Sequence, residues 1–148
     1  MATWYNVPMH KRDVSVIVLI DKNRRILLQH RDDQAQRFAL EWGFFGGGIK
    51  GTETPIQALW REIREELSYS LKDPQLIWQQ DYTIPECKEM GTEYVFMETY
   101  DDSPLHLSEG GAMRWCTLAE MKRLPVNAVD RRVVDFLVEY FGTESKRS

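Results

Sequence analysis

Glu62, Glu65 and Glu66 fall within five consecutive positions, with Arg61 immediately before them. Carboxylates this close repel one another, by a few tenths of a kcal/mol for each i,i+4 pair on an isolated helix. A multivalent cation removes that repulsion, and a site built from oxygen ligands suits Mg2+ or Mn2+ better than Zn2+. Arg61 adds a planar fork of donors that can orient carboxylates. Upstream, Gly46-Gly47-Gly48 would weaken a regular element. Such a run suits a loop whose backbone approaches a ligand closely and leaves amides or carbonyls free to bind it. REIREEL alone could be an ordinary solvated helix face, with Arg61 and Glu65 as a weak i,i+4 pair. The glycine run, Glu53 and the acidic segment together make that reading untenable.

The carboxylates need a helix, and the sequence supplies its start. Thr54 is a good N-cap, and Pro55 suits the first helical position because the missing N–H has no intrahelical partner there. Ile56, Leu59, Ile63 and Leu67 follow at the spacing of one apolar face. Glu62 and Glu66 lie one turn apart, Glu66 close to the apolar stripe and Glu65 turned toward solvent. Around this helix, Val14 to Ile20 is a β-branched run suited to a buried strand. Asp21 to Arg24 supplies turn chemistry, and Arg25 to His30 returns as the hairpin partner. Asp32 to Ala39 is expected as loop, leading to a short strand at Trp42 to Phe45. Gln75 to Thr83 and Thr92 to Tyr100 are expected strands, joined by a turn around Pro85 to Gly91. Ala112 to Cys116 is a further strand, Leu118 to Arg123 a helical turn, and Ala128 to Tyr140 a terminal amphipathic helix. Strands flanked by two helices imply a layered α/β domain.

From Gly47 to Tyr69 the pattern is G-x5-E-x7-R-E-I-R-E-E-L-S-Y, which resembles the Nudix box, G-x5-E-x7-R-E-U-x-E-E-x-G-U, with U aliphatic or aromatic. Every charged position is met. A chance match of the fixed letters is on the order of one in 100,000 for a chain of this length. The resemblance implies an α/β/α sandwich around a mixed β-sheet, with the box loop and helix at the active site. It also implies metal-dependent hydrolysis of a pyrophosphate bond in a nucleoside diphosphate-linked substrate. The first expectation is a (d)NTP or modified (d)NTP giving NMP and pyrophosphate. ADP-ribose or a nucleotide sugar is the alternative, because Pro85 lies where members cleaving ADP-ribose often have a proline. A non-catalytic nucleotide sensor on the same fold is a third reading, and the full set of mutually repelling acids argues against it.

The same resemblance assigns the site. Glu53, Arg61, Glu62, Glu65 and Glu66 form the catalytic set, and Glu62, Glu65 and Glu66 hold the Mg2+ or Mn2+. A carbonyl of Gly46 or Gly47 completes the metal shell. In MutT-type relatives a further metal-binding Glu lies six residues before a Trp, and Glu109 stands six before Trp115. Arg31, ending LLQHR, is similar to an arginine that contacts the nucleotide. Asn127 in LPVNAVD is similar to a base-reading asparagine, though an N-cap for the terminal helix explains it equally well. The general base is Glu62 or Glu109. This sequence departs from the pattern at Ser68, where the family has glycine, and at Lys50-Gly51-Thr52 before Glu53. The stretch EWGFFGGG is also longer and more aromatic than the usual one, with Trp42, Phe44 and Phe45 expected in the core.

The whole chain, 148 residues, fits a single domain. Its 43% hydrophobic and 28% charged composition is that of a soluble globular protein. A net charge of −4 argues against binding a nucleic acid polymer. Cys87 and Cys116 lack CxxC spacing and are expected as reduced, buried thiols. The opening MATWYNVPMHKRD has no apolar signal core, so a cytoplasmic protein with a small nucleotide substrate and no membrane partner is expected. A homodimer is compatible with this reading.

Overall fold

The computed structural model describes residues 8–108 and 111–147. The elements in order are β1 (His10–Lys11), β2 (Val14–Ile20), β3 (Ile26–His30), β4 (Trp42–Gly43) and β5 (Phe45–Gly48). Then follow α1 (Pro55–Leu67), β6 (Gln75–Ile84), a 3-10 turn at Pro85–Cys87, β7 (Glu89–Thr99), β8 (Ala112–Cys116), α2 (Leu118–Arg123) and α3 (Ala128–Arg147). β2 is the hub of a mixed sheet. It runs parallel to β7 and antiparallel to both β3 and β5. Its residues alternate between two cores, as the strand period requires. Ile17 and Leu19 pack with Leu59, Ile63 and Leu67 of α1. Val16 and Val18 pack with Val133, Val134 and Leu137 of α3. With helices on both faces, the layers are those of an α/β/α sandwich.

Phe44 joins the α3 core and Phe45 the α1 core, while Trp42 packs partly buried at the edge. The aromatic stretch therefore works as core. Thr54 caps α1 in a full capping box with Gln57, and Ser15 Oγ donates to the Pro55 carbonyl at 2.7 Å. That bond pins the start of the acidic helix to the central strand.

The glycine run corrects the loop expectation: Gly46, Gly47 and Gly48 belong to β5, paired with Val16, Ser15 and Val14. The reason is steric. At Gly46, where φ is 153°, a Cβ would run into the Ser15 carbonyl oxygen. Glycine lets β5 lie flat between β2 and α1, and that close approach outweighs its poor strand propensity. β7 likewise begins earlier than expected, at Glu89, because Lys88 turns the chain at φ 52°. α3 runs past Tyr140 to Arg147, its polar end carrying no apolar period to reveal it. Cys116 is buried as expected, but Cys87 is only half-buried, and both are free thiols. No helix among the described residues is long and apolar enough to cross a membrane.

Ser68 ends α1 in the left-handed region, with φ 53° and ψ 35°, its N–H donating to the Arg64 carbonyl. Ser68→Gly is expected to stabilise the fold by about 1 kcal/mol and leave kcat unchanged. Thermal melting checks this, and an unchanged or lower Tm would count against the backbone account.

Candidate active site

The helix start and the β5 strand bring Glu53, Arg61 and Glu62 together. Arg61 donates to both Glu53 oxygens, Nε to Oε2 at 2.7 Å and Nη2 to Oε1 at 2.9 Å. It also donates to Glu62 Oε1 at 2.8 Å and to the Gly48 carbonyl at 2.9 Å. A bidentate guanidinium–carboxylate pair is both strong and directional. Glu53 further accepts from the Lys50 N–H at 2.8 Å. Its carboxyl is held down to about 2, first by the Arg61 bonds and then by the Lys50 amide. Glu53 is therefore a fixed anion that holds Arg61, and Arg61 in turn sets Glu62. Gly47 leaves the space that the Glu62 carboxylate occupies, since a Cβ there would overlap it.

Glu66 behaves in the opposite way. Burial pushes its carboxyl up to about 8, with the neighbouring charge of Glu62 raising it further. The Arg31 charge and a hydrogen bond from the Gly46 amide pull it the other way. Its Oε1 is buried without a partner among the described residues, as is Nε of Arg31. Two acids facing each other beside an orphaned oxygen suit a divalent cation, which would supply the missing partner and the missing charge. Glu65 is turned outward, its side chain 59% exposed and 3.5 Å from Arg61. Among the described residues, no three acids, histidines or cysteines stand together closely enough to hold an ion at once. Glu109 lies outside the described residues.

One cavity of about 590 Å3 connects these groups. Its walls include Arg31, Gly46, Gly47, Glu62, Glu65 and Glu66, and also Phe44, Asn127, Val129 and Asp130. The backbone of Arg31, just past β3, is locked to Glu41 and Leu40, so its side chain starts from a fixed point. Of the two readings of Asn127, the capping bonds are present: Oδ1 accepts from the Asp130 N–H at 2.8 Å. Nδ2 donates to the Trp42 carbonyl at 3.3 Å and to Asp130 Oδ2 at 3.2 Å. Both amide hydrogens are engaged, and the residue is 3% exposed.

Two wall residues escaped the sequence reading. Glu93 and Asp130 are 3% and 6% exposed and stand in hydrogen-bonding contact. Burial, then the Asp130 charge, pushes the Glu93 carboxyl well above the usual range. Glu93 shares the inward register of β7 with Gly91 and Val95, which only the folded strand reveals. Asp130 resembled an ordinary first-turn acid.

The chain is similar to several known proteins. The CTP pyrophosphohydrolase of Escherichia coli K12 is 27% identical over 119 residues, covering 78% of this chain and 83% of that protein. Among solved structures, a MutT NUDIX hydrolase from Burkholderia pseudomallei has a TM-score of 0.75 at 23% identity, covering 85% of this chain and 97% of that one. The NUDIX domain of Shewanella oneidensis NrtR, complexed with ADP ribose, has a TM-score of 0.73 at 14% identity, covering 89% of each chain. At these identities the two structures show the fold. The model of the NUDIX domain family matches residues 9–137. With Glu53 in the loop after β5 and Arg61, Glu62, Glu65 and Glu66 on α1, the chain belongs to the Nudix family and is one of its pyrophosphohydrolases.

Proposed function

We propose that this enzyme cleaves a (d)NTP or modified (d)NTP to NMP and pyrophosphate. The observation that carries the reading is the single cavity reaching from Glu62, Glu66 and Arg31 to the apolar and polar walls at Phe44, Val129 and Asp130. A triphosphate fits against the first group and a base against the second. The similarity to a CTP pyrophosphohydrolase supports the same substrate class.

Nudix hydrolases generally use divalent metal ions. Here Glu62 and Glu66, with Glu65, Glu109 and a carbonyl of Gly46 or Gly47, would hold Mg2+ or Mn2+. When bound, such an ion would supply charge to offset the phosphate oxygens and would make a nearby water more acidic. Arg31 lies where it can balance phosphate charge. Arg61 is a positioning residue: clamped by Glu53, it fixes the rotamer of Glu62. Glu62 is then placed to accept a proton from the attacking water, a role Glu109 shares as a candidate.

Activity is expected to vanish with EDTA and return with added Mg2+ or Mn2+. Full turnover by metal-stripped enzyme would remove this mechanism. A screen of products over dNTPs, oxidised dNTPs, ADP-ribose and nucleotide sugars tests the substrate, with pyrophosphate release from a dNTP as the expected result. ADP-ribose is the second reading. It is favoured by the extension of the cavity to Tyr82 and Ile84, which lead into Pro85, and by the ligand of the NrtR domain. Release of AMP without pyrophosphate would select it.

A further inference from the structure

Two carboxyl groups sit in the cavity wall away from the metal-binding helix, and the hydrolytic chemistry has no use for them. Glu93 comes from the middle of β7 and Asp130 from the first turn of α3. Two buried acids cost the fold stability that an apolar pair of similar volume often would not. Their placement is also unusually complete. Asp130 Oδ2 accepts from the Phe44 N–H at 3.0 Å and from the Asn127 amide at 3.2 Å. Glu93 Oε1 accepts from Gln80 Nε2 at 2.9 Å, and the same nitrogen donates to the Val129 carbonyl at 3.0 Å. Gln80, which does not itself line the cavity, fixes Glu93 in place. It is 6% exposed, its orientation is fixed by the Val129 bond, and its Oε1 has no partner among the described residues.

The amide donors of Phe44, Asn127 and Gln80 already point at the two carboxyl groups, so what the pair offers the cavity is acceptor lone pairs. An amino group on a base edge is the matching donor, as in the pairing of carboxylates with the N4 amino group of cytosine. A carbonyl at the same position would face lone pair against lone pair. We propose that Glu93 and Asp130 determine base specificity, selecting a nucleobase that carries an exocyclic amino group on its Watson–Crick edge over its carbonyl counterpart. The inference rests on the (d)NTP reading above. Asn127 then acts through Asp130 as a positioning residue: its Nδ2 donates to Asp130 Oδ2 and its Oδ1 accepts from the Asp130 N–H, which holds the acceptor in place.

The test compares kcat/KM within two substrate pairs that differ by amino against carbonyl: dCTP with dUTP, and dATP with dITP. Wild-type enzyme should favour the amino member by at least roughly tenfold in the pair it hydrolyses better. Glu93→Gln keeps the bonds to Gln80 and Asp130 but turns an N–H toward the cavity. The preference should therefore collapse or reverse while pyrophosphate release continues. Asp130→Asn, read in the same way, serves if Glu93→Gln melts below the assay temperature. Equilibrium binding of non-hydrolysable α,β-methylene dCTP and dUTP to wild-type protein gives the same ratio without turnover. Equal kcat/KM within both pairs, or a wild-type ratio kept by the variants, overturns the proposal while leaving the (d)NTP reading intact. Absence of pyrophosphate release from every dNTP, with cleavage of ADP-ribose instead, shows that the underlying reading has failed.

Discussion

Glu66→Gln is expected to lower kcat by two to three orders of magnitude, roughly the effect of removing one electrostatic group from a catalytic site. The substitution preserves size and the bond from the Gly46 amide while removing the charge that would face a metal ion. Turnover within about threefold of wild type would reduce Glu66 to a packing residue. The same variant carries a stability signature. In metal-free protein Glu66 keeps its proton up to about 8, whereas an unfolded glutamate releases it near about 4.3. Between those values the folded state binds a proton that the unfolded state lacks, so its stabilisation is full at low pH and declines as pH rises. The Tm of metal-free wild type should therefore fall across this window, and Glu66→Gln should flatten the slope. A slope that survives the substitution would place the buried charge elsewhere.

Gly46→Ala is expected to cost on the order of 3 kcal/mol, combining overpacking with a positive φ that side chains resist. The clash is with the backbone of β2, which has no flexible end to move aside. A fall in Tm of roughly 10 °C is the corresponding shift for a domain of this size. Because the Gly46 amide also bonds Glu66, kcat should fall with stability even well below the melting temperature. A variant that melts within about 2 °C of wild type would mean β5 can shift away from β2 at little cost.

These two positions mark the boundary of what the sequence could reveal. The acidic helix was legible because its determinants are local: Thr54 and Pro55 start it, and Leu59, Ile63 and Leu67 set its buried face. The β2–β3 hairpin and the terminal helix were legible for the same reason. The role of Gly46 was not, because the atom that excludes a side chain there belongs to Ser15, thirty-one positions away and adjacent only after folding. Propensity argued for a loop, and tertiary packing overrode it. The box acids and Arg61 could be named from the resemblance to the Nudix box, but not their opposite electrostatic states. Glu53 is exposed to its donors, while Glu66 is enclosed with Glu62. Glu93 stayed hidden because a lone acid in an alternating strand passes for an outward residue until the register is known.

The central position of β2 has a consequence for the order in which the protein opens. Its odd and even residues anchor different cores, and its two edges carry β7 on one side and β3 and β5 on the other. Each helix layer covers one face of this strand and neighbouring strands hold its backbone on both sides, so freeing its amides requires the sheet itself to part. The N–H groups of Val16 and Val18 should exchange with solvent deuterium only through global unfolding, at rates that report the full stability of the domain. The carboxylate helix is tied to that same strand by the Ser15 hydroxyl. The box acids are thus mounted on the part of the molecule that lets go last.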